Sequence, residues 1–203
     1  MKKVGITNND SFIGLWDNVF TQEECKKTVE HLEWVFTKHP ELLHVETSKT
    51  RRDNAMFLLD KLQTSEIAEK VIERIAPCWN EYCEIYDHPR AYYKSMNRSI
   101  KAQKSSTDGG YVSWHHEQGI SPLSQTRYAV WMMYLNDNFE GGFTQFQHQE
   151  LAIEPKAGSL LIWPASFTHR HRAAPDLVGD KWIVTGWFSY QPEDEWLPQK
   201  YRQ

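Results

Sequence analysis

Tyr111-Val112-Ser113-Trp114-His115-His116-Glu117 and, some fifty residues on, Thr168-His169-Arg170-His171 with Pro175, Gly179 and Lys181-Trp182 behind it, decide how this chain reads. Side chains at i and i+2 of a strand share a face, so His115 and Glu117 on one strand can reach a single ion while His116 points away. A third ligand then has to come from a segment distant in sequence and adjacent in space, and the segment with His169 and His171 is the candidate. Two histidines and one carboxylate form the facial triad of non-haem Fe(II) sites, which leaves coordination positions open for other molecules. Zinc accepts the same ligand types in a tetrahedral site, so the donor set alone leaves the metal open.

The flanking sequence reads as short strands broken by turn residues. Lys101 to Ser106 leads through Asp108-Gly109-Gly110 into the metal strand. Gln118 to Gln125 is a loop beyond the first ligands, where a lid over substrate would be useful. In the following strand Val130, Met132 and Tyr134 share one face, assigned to the interior of a barrel. Ala129, Trp131, Met133 and Leu135 share the other, assigned to packing beneath helices. Asn138 to Gly142 is a turn, after which Thr144, Phe146 and His148 share a face. Glu154 to Gly158 is a further turn before the apolar run Ser159 to Trp163. His169 has the same strand parity as His171 and competes with it as a ligand, whereas His148 is a weak candidate. Arg172 is expected to be solvated. Trp182 to Tyr190 is the last strand, and the polar tail from Gln191 is expected to be only partly ordered.

Working outward to the N-terminal side, Thr21-Gln22-Glu23-Glu24 is a capping-box signature, with Cys25, Val29, Leu32 and Phe36 on one helical face and Pro40 as the limit. Val45 to Asp60 reads as one or two strands with Phe57-Leu58-Leu59 buried; Arg51-Arg52 is read as a solvated strand end or turn, with contact to an acidic substrate as the alternative. A second helix spans about Ser65 to Ile85, with Ile67, Val71, Ile75, Cys78, Trp79 and Tyr82 at helical spacing and Pro77 as a kink. Helices followed by strands predict an α+β fold, with the helices buttressing a largely antiparallel sheet.

Composition sets the outer bounds. Apolar residues make up 40% of the chain and charged ones 25%, ordinary values for a globular protein of one domain. A net charge of -4 disfavours a nucleic-acid partner, which normally requires a basic surplus. No apolar run approaches the length of a membrane helix, and Met1-Lys2-Lys3 is followed by polar residues rather than a signal-peptide core. Cys25, Cys78 and Cys83 lack metal spacing. The expectation is a cytoplasmic protein with no membrane partner.

The segment His171, Pro175, Gly179, Lys181 keeps the intervals of the distal-histidine motif of the prolyl 4-hydroxylase-like 2-oxoglutarate/Fe(II)-dependent dioxygenases. Tyr134-Leu135-Asn136-Asp137 followed by Gly141-Gly142-Phe143-Thr144-Gln145-Phe146 resembles the same family's central segment. The resemblance covers roughly residues 90 to 190. It implies a double-stranded β-helix (a cupin-like jelly roll) with residues 1–89 as helical and strand support, 90–190 as the metal-binding core and 191–203 as a tail. It also implies Fe(II) held by His115, Glu117 and His171, 2-oxoglutarate as cosubstrate paired with Lys181, and O₂ as oxidant, with ascorbate as a reductant. Tyr134, Thr144 and Trp187 fall where the family lines the cosubstrate pocket.

Two positions depart from the family pattern. Glu117 stands where most members have Asp, and Val130 stands four residues before the tyrosine, where many carry Thr. The implied reaction is hydroxylation of an unactivated C–H bond with release of succinate and CO₂. The retained carboxylate at Glu117 argues against halogenation. By analogy the substrate is a prolyl residue in a peptide or protein, with a free amino acid or small metabolite as the alternative. Two readings from other classes stand beside it: a jelly-roll binding module without catalysis, and a zinc hydrolase or isomerase on a similar barrel.

Overall fold

Thr21 caps the first helix in both directions: its Oγ1 accepts from the Glu24 backbone N–H at 3.2 Å, and the Glu24 carboxylate accepts from the Thr21 N–H at 2.8 Å. Helix α1 (Gln22–Lys38) runs from that cap to just short of Pro40 and buries Cys25, Thr28, Leu32, Val35 and Phe36. Helix α2 (Thr64–Ile85) buries Val71, Ile75, Cys78, Trp79, Tyr82 and Cys83. Pro77 lies on its exposed side, where the Glu73 carbonyl that loses its helical partner can be hydrated. The computed structural model describes residues 2–3, 11–58, 64–87 and 99–190. The expectations for Leu59, Asp60 and the tail from Gln191 lie outside the described residues.

The strands are β1 (Lys2–Lys3), β2 (Gly14–Asp17), β3 (His44–Thr47), β4 (Arg51–Phe57), β5 (Lys101–Ser105), β6 (Gly110–Tyr111), β7 (Arg127–Tyr134), β8 (Thr144–Phe146), β9 (Leu151–Ile153), β10 (Leu160–Pro164), β11 (His171–Ala173) and β12 (Lys181–Ser189). Nine of them form one antiparallel sheet in the order β1-β2-β10-β7-β12-β5-β4-β3, with β6 also on β4. The other three form a small sheet in the order β11-β8-β9.

The two faces of β7 divide as the alternation predicts. Ala129, Trp131, Met133 and Leu135 join Leu160, Ile162, Trp182, Val184 and Phe188 beneath both helices. Val130, Met132 and Tyr134 join Leu161, Trp163 and Trp187, and with Phe146 and Ile153 of the small sheet they form a second core. Two antiparallel sheets facing one another, with the helices behind the larger, are the jelly roll that the resemblance implies.

Three local expectations are corrected. Phe57 is 59% exposed, not buried, because the period of β4 places it with Arg51, Asp53 and Ala55 on the open face, while Met56 and Leu58 go under the helices. His115 and Glu117 do not lie on a regular strand. After β6 the chain crosses to the small sheet through one bridge, His115 N–H to His171 O at 3.0 Å and His171 N–H to His115 O at 2.8 Å, and then reaches the Ala165 carbonyl through the Glu117 and Gln118 amides. Strand parity also fails for His169, which ends a 3-10 turn (Phe167–His169) just before β11.

Candidate functional site

The crossing after β6 brings His115, Glu117 and His171 together, with one ligand atom from each within 4.8 Å of the others. His115 Nε2 is 3.6 Å from Glu117 Oε1 and His171 Nε2 is 3.9 Å from the same oxygen. Each imidazole turns its other nitrogen to a backbone carbonyl: His115 Nδ1 to Ser113 O at 2.8 Å and His171 Nδ1 to His169 O at 3.0 Å. Those bonds place the ring proton on Nδ1 and leave the Nε2 lone pairs aimed at a common point. Glu117 is divided in the same way. Its Oε2 accepts from Arg127 Nη1 at 3.0 Å and Trp187 Nε1 at 2.9 Å, so Oε1 is the oxygen left facing the histidines.

The rings are held in place by packing. Tyr111 stacks on His115 with centroids 3.6 Å apart and an interplanar angle of 10°, and the Arg51 guanidinium lies over the Tyr111 ring, 5.4 Å from its centroid. His171 meets Trp163 edge-on at 5.0 Å. Burial opposes ionisation of Glu117, but the facing His115 and His171 and the Arg127 charge outweigh it and hold the carboxyl down at about 2. Burial, helped by the His115 charge, pushes His171 down to about 4. An ionised carboxylate beside a neutral imidazole is the protonation state that metal ligation requires.

The trio lines a cavity of about 620 Å³ enclosed between the two sheets. At the far side of it Lys181 is 6% exposed, its ammonium donating to the Gly142 carbonyl and lying 5.1 Å from the Tyr134 ring centroid. Burial lowers Lys181 to about 7 against the opposing pull of Asp176. Tyr134 is fully buried, and its hydroxyl bonds the Thr144 hydroxyl at 2.6 Å. Burial raises the phenol above its usual range, so it acts only as a neutral donor and acceptor.

Of the residues singled out in the sequence, His115, Glu117, His171, Lys181, Thr144 and Trp187 line this one cavity, as does Val130. Trp187 touches the metal site itself, through Glu117, rather than standing beside Lys181. His169 is not a ligand: its Nε2 bonds the Ser11 carbonyl at 2.9 Å and its Nδ1 the Thr168 hydroxyl at 3.0 Å, which uses both nitrogens. His148 is exposed in the turn after β8. Arg51 is no solvated strand end, since it forms two bonds to Asp53 at 2.7 and 3.0 Å within the cavity wall. Arg172 likewise borders the cavity, bonded to Gln145 Oε1 at 2.8 Å and stacked over Trp114.

Sequence reasoning missed Arg127 and Tyr111 as supports of the ligands, and Lys101 as a lining residue. A basic residue opening the apolar strand β7 was the only signal for Arg127, and the alternation of Lys101, Gln103 and Ser105 the only one for Lys101.

Two Nε2 lone pairs and one carboxylate oxygen, each with its partner atom already bonded elsewhere, suit Fe(II) in a facial triad. Residues 100–189 match the family model described as the 2OG-Fe(II) oxygenase superfamily. Prolyl 4-hydroxylase subunit alpha-1 of Bos taurus is 34% identical over 68 residues, covering 30% of this chain and 13% of that one. Prolyl 4-hydroxylase 13 of Arabidopsis thaliana is 24% identical over 52% of this chain and 46% of its own length. The chain therefore spans less than half the length of these curated relatives.

Among solved structures, the viral collagen prolyl hydroxylase of Paramecium Bursaria Chlorella virus-1, in complex with 2OG, superposes with a TM-score of 0.67 at 16% identity, covering 89% of this chain and 97% of that one. The prolyl hydroxylase of Trichoplax adhaerens, in complex with a hypoxia inducible factor peptide fragment, gives 0.70 at 13% identity over 94% and 89%. At those identities the structures speak for the fold.

Proposed function

We propose that this chain, a prolyl 4-hydroxylase-like member of the 2OG-Fe(II) oxygenase superfamily, hydroxylates an unactivated C–H bond, with a prolyl residue of a peptide or protein as the substrate. The observation that carries this reading is the common cavity: three ligand atoms converge in its wall, and a buried lysine, Lys181, lines the same space. A zinc hydrolase has no use for that lysine, and a binding module has none for the paired Nε2 lone pairs. The peptide-substrate reading is supported by the names of the relatives, one of which is a collagen prolyl hydroxylase and another of which holds a peptide.

His115, Glu117 and His171 would hold Fe(II), and Lys181 the distal carboxylate of 2-oxoglutarate. The bound metal, cosubstrate and O₂ supply the oxidising chemistry, which yields succinate, CO₂ and a hydroxylated product. The chain's own contribution is position and charge. Arg127 and Trp187 fix which oxygen of Glu117 faces the histidines, and the Ser113 and His169 carbonyls fix both ring tautomers. The Lys181 ammonium, 6% exposed, would neutralise a carboxylate there, where burial makes a charge-assisted bond strong. Thr144 offers a hydroxyl in the cavity wall, Tyr134 stands behind it bonded to that hydroxyl rather than lining the cavity, and Trp163 and Met132 give the cavity apolar walls.

Anaerobic titration of the metal-free protein with Fe(II) and 2-oxoglutarate, followed by visible absorption, tests this directly. A charge-transfer band is expected, absent in His171→Ala and requiring far more 2-oxoglutarate in Lys181→Ala. Bound Fe(II) with no band would overturn the proposal.

A further inference from the structure

The charge in the cavity wall is unbalanced once the metal site and Lys181 have been accounted for. Among the described residues its basic side chains are Arg51, Lys101, Arg127, Arg172 and Lys181, and its carboxylates are Asp53 and Glu117. Arg51 is neutralised by Asp53 at 2.7 Å and Arg127 by Glu117 at 3.0 Å. Arg172 is held by the neutral Gln145 and by Trp114, at the rim. Lys101 has neither kind of partner. Among the described residues its ammonium makes no hydrogen bond and no ion pair, and its contact is with the face of Trp187, 5.7 Å from the ring centroid.

The surroundings make that isolation unfavourable. Lys101 opens β5, flanked on the open face of the sheet by Phe57 of β4 and Thr185 of β12; the Arg51 and Arg127 charges act against its own, while Glu117 and Asp53 act for it from beyond bonding distance. Burial, with Arg51 and Arg127, lowers its pKa against the pull of Glu117 and Asp53, both of which are already bonded to an arginine. Lys101 is half-buried, and an ammonium in a cavity wall with no directly bonded partner is a place where a ligand can supply one. Its position says which ligand. Lys181 lies four residues away along β12 from Thr185, the residue opposite Lys101, so the two lysines stand at different ends of the cavity. Trp187, beneath the Lys101 ammonium, donates its Nε1 to Glu117, so Lys101 is about one indole's width from the metal ligand.

We propose that Lys101 is a specificity-determining residue that binds a carboxylate of the substrate next to the carbon to be hydroxylated. The inference rests on the hydroxylase reading and narrows its substrate to an acidic one. The same chemistry could come from the α-carboxylate of a free amino acid or from an aspartate or glutamate side chain adjoining the target residue in a peptide. Phe57 and Met132 on the same wall would pack the apolar part of either.

Matched probes separate these sources. The protein is loaded with Mn(II) and 2-oxoglutarate without oxygen, and probe binding is read from paramagnetic broadening of the probe's own NMR signals. One pair is L-proline and L-prolinamide; the other is N-acetyl-prolyl-glutamate amide and N-acetyl-prolyl-glutamine amide. The acidic member of one pair should bind at least about tenfold tighter than its amide, the factor that loss of one charge-assisted bond produces. That preference should disappear in Lys101→Met and return in Lys101→Arg, with the 2-oxoglutarate titration unmoved in both.

Equal binding of acid and amide, no binding of either acid, or a preference that survives Lys101→Met would overturn the proposal. So would a Lys101→Met variant whose loss falls on 2-oxoglutarate, because Lys101 would then serve the cosubstrate. Failure of the protein to hold Mn(II) at all is a separate result, and it would count against the metal site instead.

Discussion

Trp187→Phe removes one hydrogen bond from the metal site and leaves almost everything else in place. The Trp187 Nε1–H donates to Glu117 Oε2 at 2.9 Å, and phenylalanine keeps an aromatic face for the Arg127 guanidinium, which lies 3.7 Å from the Trp187 ring centroid. A hydrogen bond to a charged acceptor contributes about 1.5–3 kcal/mol. If that energy serves to hold Oε1 toward the histidines, its loss weakens metal binding by about 10–100-fold, at about 1.4 kcal/mol per decade. Outer partners of metal ligands in other proteins have effects of the same size. The assay is titration of the metal-free protein with Mn(II), reading free Mn(II) by electron paramagnetic resonance, followed by a 2-oxoglutarate titration at saturating metal. Weaker Mn(II) binding with unchanged 2-oxoglutarate affinity is expected. Unchanged Mn(II) binding with weakened 2-oxoglutarate binding would refute the reasoning and make Trp187 a cosubstrate contact.

Lys181 gives a pH signature: burial brings it to about 7, and a carboxylate pairs with its charged form. Affinity for 2-oxoglutarate should therefore be full below pH 7 and fall by up to about tenfold per unit above it. A calorimetric series run with Lys181→Arg, which stays charged, should show the fall only in the wild type. His169→Ala removes two hydrogen bonds and a buried ring, and should cost about 1–3 kcal/mol of stability by denaturant melting while Mn(II) still binds; loss of the metal would restore His169 as a ligand. Gly158 has φ +81°, and a Cβ there would stand 2.1 Å from the Phe20 carbonyl oxygen. Gly158→Ala should thus destabilise by about 2–4 kcal/mol, seen as a drop on the order of 5–15 °C in the melting temperature.

The residues that sequence could place are those whose partners follow from local spacing. The Thr21 cap and the two faces of β7 are set by neighbours within a turn or a strand, and both form as the pattern predicts. Family spacing from His171 to Lys181 did the same for two residues that the fold brings into one cavity. Phe57 was misread because a short apolar run hides the period of two, and only the flanking Arg51, Asp53 and Ala55 show which face it takes. His169 was given a strand's parity because nothing local announces a single 3-10 turn. The supports of Glu117 were invisible for a different reason. Arg127 is ten residues from it and Trp187 seventy, and only the pairing of β12 with β7 sets Trp187 opposite Val130, next to the start of β7 where Arg127 lies.

That pairing also bears on why a glutamate can serve at this position. Compared with aspartate, Glu117 has one more rotatable bond to hold still, and fixing a side chain of this length costs on the order of 1 kcal/mol or more. A carboxylate gripped only by a metal would give up part of its binding energy to that ordering. Here Arg127 and Trp187 both bond the same oxygen, Oε2, and Arg127 also donates to the Glu117 carbonyl at 3.3 Å, so backbone and side-chain tip are fixed by one guanidinium. The ordering is done by the fold before a metal arrives, which is what an oriented ligand requires. The longer side chain reaches the same meeting point as the histidine nitrogens because the sheet supplies two donors at its far end, and the departure from aspartate is compensated within the barrel wall.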